Sequence, residues 1–482
     1  MKRMKKRMVR VSALALTIAM GTVMVACGSK TDTQGSAAPA SEDAGGSEKV
    51  QGTQDAQDAG TKDANGEKVQ VTYAFWGSEE DISEDSVASE FSRSQDHIEV
   101  KEVPIPWETY MEKLNIMATG GNLPDTAIMS EAGVLQWAQE GLLYDISDMY
   151  SENEAKPLDS CAFTYDGKTV AYACANNSLA LFYNKDMFDA AGVKYPSANA
   201  EEAWTWDEFV DVAKQLTLDA NGKNAKDPAF DPENIVQYGC MVENLTWQLE
   251  VWCRSNGSGF YNEDGSEVTI NDPAAIEALQ AIADLYLVHH VAPLSAGLTD
   301  DGVSRSLIAG TCAMTTNGVW NIGTTLSAAR DEGLNYGIAV LPYMKEKVTI
   351  STGGPNVVFS QTEHPEEAME WIKYYSREEN SWDSLIATGI WMPILESYYT
   401  DEALTEKWLK NPAYPEYEDA KSVLVDYVVD YAEPTAWYYT NNTVDFNALL
   451  GSVLGDVWTG KTTAEKAIND NYAALVSAHE GF

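Results

Sequence analysis

From residue 68 onward the apolar residues switch repeatedly between a period of two and a period near 3.6, and this leaves few folds open. In "KVQVTYAFWG" (68–77), Val69, Val71 and Tyr73 alternate with polar or small residues, the pattern of a half-buried strand. A helix-like segment follows the loop "WGSEEDISED", and "IEVKEVPI" reads as a second strand. "WETYMEKLNIMATGG" spaces Tyr110, Leu114 and Met117 as a helix does and stops at Gly120-Gly121; "DTAIMS" is a third strand. Strands separated by helices need crossover connections, which predicts a parallel α/β sheet. The same alternation returns after residue 180, so two α/β lobes are expected. Later helices show their caps: Asp272 before Pro273, and Pro365 followed by two glutamates.

The first 67 residues read differently. "MKRMKKRMVR" carries six cations and no acid, and the apolar run "VSALALTIAMGTVMVA" leads directly into Cys27. That order of regions is an export signal. The apolar run is shorter than the ~20 residues a membrane span requires. Residues 28–67 hold no aromatic and almost no large apolar side chain, so they cannot bury enough surface to fold. They read as a tether that carries the folded part clear of the membrane. The formal charge of the chain is −42. Such a surface repels nucleic acid and excludes it as a partner.

Motifs for catalysis or metal binding are missing. The histidines are His97, His289, His290, His364 and His479, and the adjacent pair faces different directions on a helix. No HExxH, GxSxG or CxxC occurs. Cys161 and Cys174 flank the turn Asp166-Gly167, so they either pair as a disulfide or stay as buried thiols. "DANGKNAKDPAFD" (219–231) has its glycine fourth rather than sixth for a calcium loop, and reads as a solvated loop. "GDVWTGKTT" (455–463) matches the spacing of a phosphate-binding loop, but that loop must follow a strand. Here Phe446, Leu450, Val453 and Val457 form a helical stripe. Gly460 is therefore expected to stop one helix, with Thr462 capping the next through a T-x-x-E box. No cofactor and no metal are expected.

Several stretches together resemble the family 1 extracellular solute-binding proteins, the sugar-binding lipoproteins of ABC importers. They are "KLNIMATGGNLPDTAIM", "LALFYNKDMFDAAGV" with "TWDEFVDVAKQLT", "SLIAGTCAMTTNGVW" and "HPEEAMEWIKYYS". "MVAC" likewise resembles a lipobox, with Met24 in place of the commoner Leu; this implies a signal peptide over 1–26 and a lipid on Cys27. The resemblance covers about residues 68–482. It implies an α/β fold of the two-lobed, periplasmic-binding-protein-like kind (type II-like), with a ligand cleft between lobes. Lobe one is then 68–178 plus 350–398, and lobe two 179–349 plus 399–482. It also implies a monomer tethered on the extracytoplasmic face of a bacterial membrane. Its partners would be a carbohydrate and the permease subunits of an ABC transporter.

Sugars offer C–H faces, which aromatic rings cover, and hydroxyl rims, which carboxylates and amides bind. Trp76 sits past the first strand, where ligands meet open α/β sheets, with Glu80 beside it. The resemblance adds Glu131, Asn177, Trp247, Trp320, Trp391 and Trp437, and suggests that "TGGP" (352–355) brings backbone N–H groups to the ligand. Trp206, Trp252 and Trp371 are assigned to helix packing. The rival functions are an exported surface glycosidase, and a binding protein for a polyamine, metal chelate or peptide.

Overall fold

The computed structural model describes residues 68–80, 82–106, 109–151, 154–294, 303–382, 386–441 and 443–479. Cys27 and the tether lie outside them. The first sheet has six strands, in the order Ile98–Ile105, Val69–Trp76, Thr126–Ile128, Pro355–Val358, Lys168–Ala173 and Ala162–Tyr165. Its first three strands are mutually parallel. The alternation at 69–73 is realised in Val69, Val71 and Tyr73, all buried. The helix Tyr110–Gly120 stops because Gly121 takes φ +67°, a left-handed conformation that costs glycine little.

The second sheet has four strands, in the order Tyr336–Ala339, Leu179–Asn184, Met314–Gly318 and Met241–Val242. Every residue of Leu179–Asn184 is buried. Leu179, Leu181 and Tyr183 enter one core, while Ala180 and Phe182 enter a second. Burial on both faces is why "LALFYN" lacks polar alternation. A separate core under the first sheet contains Phe91, Leu114, Phe163 and Trp371.

The sheets are joined where chain segments cross side by side. Asn177 and Thr352 exchange backbone hydrogen bonds of 2.6 and 2.9 Å. Asn176 pairs with Met392 in the same way, at 3.1 and 3.2 Å. Thr349–Ser351 runs parallel to Ala432–Pro434. The crossing is tight. A Cβ on Gly353 would lie 1.8 Å from the carbonyl oxygen of Ala175, and one on Gly354 2.5 Å from the Trp76 ring. At Gly353 the obstacle is backbone and only glycine fits, whereas a side chain at Gly354 would require the Trp76 ring to move.

The cap at Thr205 is a full capping box with Glu208, and Trp206 packs on Trp252 at 5.2 Å. Trp252 and Trp371 are core residues. Asp272 caps the helix Pro273–Leu287, accepting a 2.8 Å bond from Ala274 N–H. Gly460, at φ +70°, ends the helix Thr443–Trp458. The next cap is Thr463 rather than Thr462: its hydroxyl accepts from Lys466 N–H at 3.2 Å, and the helix begins at Ala464. The turn Gly460-Lys461 uses up the intervening chain, with Lys461 N–H bonded to Asp456 O at 2.9 Å.

Cys161 and Cys174 are buried and unbridged, as are Cys240, Cys253 and Cys312. The Cys174 thiol donates to Gly354 O at 2.8 Å. The loop 219–231 is ordered by its own hydrogen bonds. One oxygen of Asp219 accepts from the N–H groups of Asn221 and Lys223, and the other from that of Asp231. No described helix is long and apolar enough to cross a membrane.

Candidate functional site

The strands Met241–Val242 and Met314–Gly318 are parallel, so their carboxyl ends lie on one edge of the second sheet. The amino end of the antiparallel strand Leu179–Asn184 lies on the same edge. Ligands of α/β sheets gather at such edges. Trp247 is the second residue of the helix Thr246–Ser255, which follows Met241–Val242. Trp320 follows Met314–Gly318. Its ring folds back over Gly318, where a Cβ would lie 2.0 Å from the ring carbons. Gly318 therefore permits the conformation of "NGVW". Trp437 arrives from far along the chain, on the single turn Ala436–Tyr438.

These three tryptophans meet. The Trp247 ring lies 6.1 Å from Trp320 and 5.6 Å from Trp437, at interplanar angles of 34° and 42°. All three are partly exposed. They form a continuous aromatic wall with Trp247 at its centre.

Sequence reasoning missed the polar groups around this wall. Asn177 Oδ1, Ser178 Oγ, Asn244 Oδ1, Gln248 Nε2, Asn317 Nδ2 and Thr435 Oγ1 are buried without a hydrogen-bond partner in the protein. The first five belong to segments at the sheet edge, and Thr435 stands two residues before Trp437. Leaving such an atom unsatisfied costs about 1–3 kcal/mol. Buried partnerless amides and hydroxyls beside an aromatic wall suit a ligand that supplies hydroxyl groups. Asn177 was the only one anticipated. Asn244 and Asn317 lie inside "ENLTW" and "TTNGVW", so their closeness to a tryptophan was the available signal.

Glu131 opens a short turn, Glu131–Gly133, on the first-sheet side. Its carboxylate accepts bonds from Thr352 Oγ1 at 2.7 Å and Gly353 N–H at 2.6 Å, with Tyr438 Oη at 3.4 Å. The Gly353 N–H is thus spent on Glu131, which corrects the expectation that "TGGP" offers it to a ligand. Burial pushes the carboxyl up to about 7, against the opposing pull of Gly353, Thr352 and Tyr438. Tyr438 follows Trp437 in the chain and stacks on Phe163 in the core under the first sheet, at 3.9 Å and 20°. Consecutive residues 437 and 438 thereby join the tryptophan wall to the core under the first sheet.

The other expected residues are placed as follows. Trp76 is the last residue of its strand, edge-on to Tyr110 at 6.0 Å and against Gly354. Glu80 is exposed in the turn beyond it. Trp391 packs edge-on to Tyr375 at 5.9 Å, between the core under the first sheet and the one that Phe182 enters.

A family model described as bacterial extracellular solute-binding protein matches residues 86–416. A putative binding protein of Brucella abortus is 26% identical over 50% of this chain, which spans about half of that relative (53%). The sn-glycerol-3-phosphate-binding periplasmic protein of Agrobacterium fabrum is 26% identical over 72% of this chain and 78% of its own. The arabinooligosaccharide-binding protein of Halalkalibacterium halodurans is 25% identical, over 67% and 70%. Among solved structures, an ABC substrate-binding protein of Listeria monocytogenes in complex with cycloalternan superposes with a TM-score of 0.67. It shares 24% identity, over 85% of this chain and 98% of that one. This likeness supports the two-lobed fold.

Proposed function

The chain belongs to the bacterial extracellular solute-binding proteins, and from that premise we propose that it captures a carbohydrate, in particular an oligosaccharide, and delivers it to an ABC permease. The observation that carries this is the tryptophan wall bordered by partnerless buried amides and hydroxyls. Three tilted rings in a row present more apolar face than one sugar ring needs, which favours several linked sugars. The amides and hydroxyls of Asn177, Ser178, Asn244, Gln248, Asn317 and Thr435 can pair with the hydroxyls of a sugar. The names of the Halalkalibacterium and Listeria proteins support the same class.

Capture proceeds by closure of the lobes about the crossing near Asn177 and Thr352, and the permease recognises the closed form. The ligand is bound and released unchanged. Cys27 is the lipidated first residue of the mature protein, which holds it on the extracytoplasmic face of the membrane as a monomer.

A glycan array probed with the full-length protein tests the ligand class. Neutral oligosaccharides should bind, and prolonged incubation should return them intact and in stoichiometric amount. An array without signal, alongside binding of a polyamine or peptide, refutes the carbohydrate assignment. Steady release of smaller sugars makes the protein a glycosidase instead. Separately, mass spectrometry of protein from the native host should find the chain beginning at a lipid-modified Cys27. A retained Met1 or an unmodified Cys27 rules out the anchor.

A further inference from the structure

We propose that Arg254 is a positioning residue that sets the spacing of the tryptophan wall, by clamping the segment that carries Trp437 onto the helix that carries Trp247. The structural claim stands on geometry alone; its consequence for ligand capture rests on the carbohydrate assignment above.

Trp247, Glu250 and Arg254 are spaced i, i+3, i+7 on the helix Thr246–Ser255, so they share one face. Arg254 is nearly buried, with 11% of its side chain exposed, and Glu250 has 5%. One guanidinium nitrogen donates to Glu250 Oε1 at 2.9 Å and to Tyr439 Oη at 2.7 Å. The other donates to Pro434 O at 2.8 Å and to Glu433 Oε2 at 3.1 Å. Arg254 thus grips the chain three residues before Trp437 and two residues after it. Glu250 holds the guanidinium from its own helix, one turn away. The planar fork is what allows one side chain to reach four partners at once; an ammonium is a point charge on a flexible stem.

The bonds are made to residues 433, 434 and 439 rather than to Trp437 itself. The residue therefore acts through the backbone path of the segment. The distance it fixes is the 5.6 Å between the rings of Trp247 and Trp437.

The test uses the full chain labelled with 5-fluorotryptophan, observed by fluorine NMR without any sugar. Trp437→Ala and Trp247→Phe assign the two resonances. Arg254→Lys keeps a cation beside Glu250 but loses the fork. It should shift or broaden the Trp437 and Trp247 signals while leaving those of Trp206 and Trp252, in the adjoining core, in place. Tyr439→Phe removes a single bond and should move the same two signals less. It also keeps the proposal testable if Arg254→Lys fails to fold. Unmoved Trp437 and Trp247 signals in both variants overturn the proposal. So does a displacement shared equally by Trp206 and Trp252, which would reveal general loosening. Because no sugar is present, failure here is distinct from failure of the glycan array.

Discussion

Replacing Trp247 with Ala should weaken oligosaccharide binding by on the order of 100-fold while the protein remains folded. Trp247 is the central ring of the wall, within 6.1 Å of Trp320 on one side and 5.6 Å of Trp437 on the other. A sugar face stacked on it would remove ~100 Å² of apolar surface from water, or ~2.5 kcal/mol at ~25 cal/mol per Å². Each 1.4 kcal/mol is a factor of ten in affinity. The flanking tryptophans lose their shared neighbour as well, so truncating either of them alone should cost less, about tenfold. The ring is partly exposed at the edge of the core that Leu179, Leu181 and Tyr183 enter. Its loss should therefore destabilise the fold by less than the ~3–5 kcal/mol of a fully buried Trp→Ala change. Calorimetric titration with an array-positive sugar and a thermal melt of the same preparation separate the two effects. Unchanged affinity in a folded variant would falsify the stacking role. A collapsed melting temperature would return Trp247 to the core.

The first three strands and several helix ends were legible because their signals are local, whereas the parallel-sheet expectation did not anticipate the antiparallel strands Pro355–Val358, Lys168–Ala173, Ala162–Tyr165 and Leu179–Asn184. Alternation over Val69, Val71 and Tyr73, the Asp272-Pro273 start and the Gly460 stop each depend on a few neighbouring residues. The error at Thr462 was a register error between adjacent threonines. Either can cap a helix, and the choice was made by how much chain the preceding turn consumed. The site was harder to read because it is assembled from distant segments. Trp247 and Trp437 are far apart in the chain, and no spacing announces their contact. Gln248 sits in the first turn of its helix, where a polar residue ordinarily faces water; only the tertiary structure shows it buried. The expectation for "TGGP" made a ligand the group that its glycines approach, and the structure corrects it. What approaches them is Ala175, Trp76 and Glu131, all parts of the protein itself.

Glu131 should make the protein less stable as pH rises from about 4.5 to about 7, and Glu131→Gln should abolish that component. In the unfolded chain the carboxyl titrates near the ordinary value of 4.5; in the folded protein burial raises it to about 7. Between those values the folded state holds a proton that the unfolded state has released. A raised carboxyl therefore contributes its full stability below pH 4.5, and that contribution is lost as pH climbs through 7. At 1.36 kcal/mol per pH unit, the change is at most about 3 kcal/mol. The residue keeps some contact with water, so this is an upper bound. Glutamine retains an oxygen to accept from Gly353 N–H, and its amide can donate to the hydroxyl of Thr352, so the crossing should hold. The chain has 74 carboxylates, and its overall pH profile mixes many titrations. The informative quantity is the difference between wild type and variant in denaturant unfolding at each pH. Glu131→Gln should be the more stable above pH 7, with its advantage shrinking steadily toward pH 4.5. A difference that stays flat across this window would mean that Glu131 ionises normally, and that its three donors offset the burial in full.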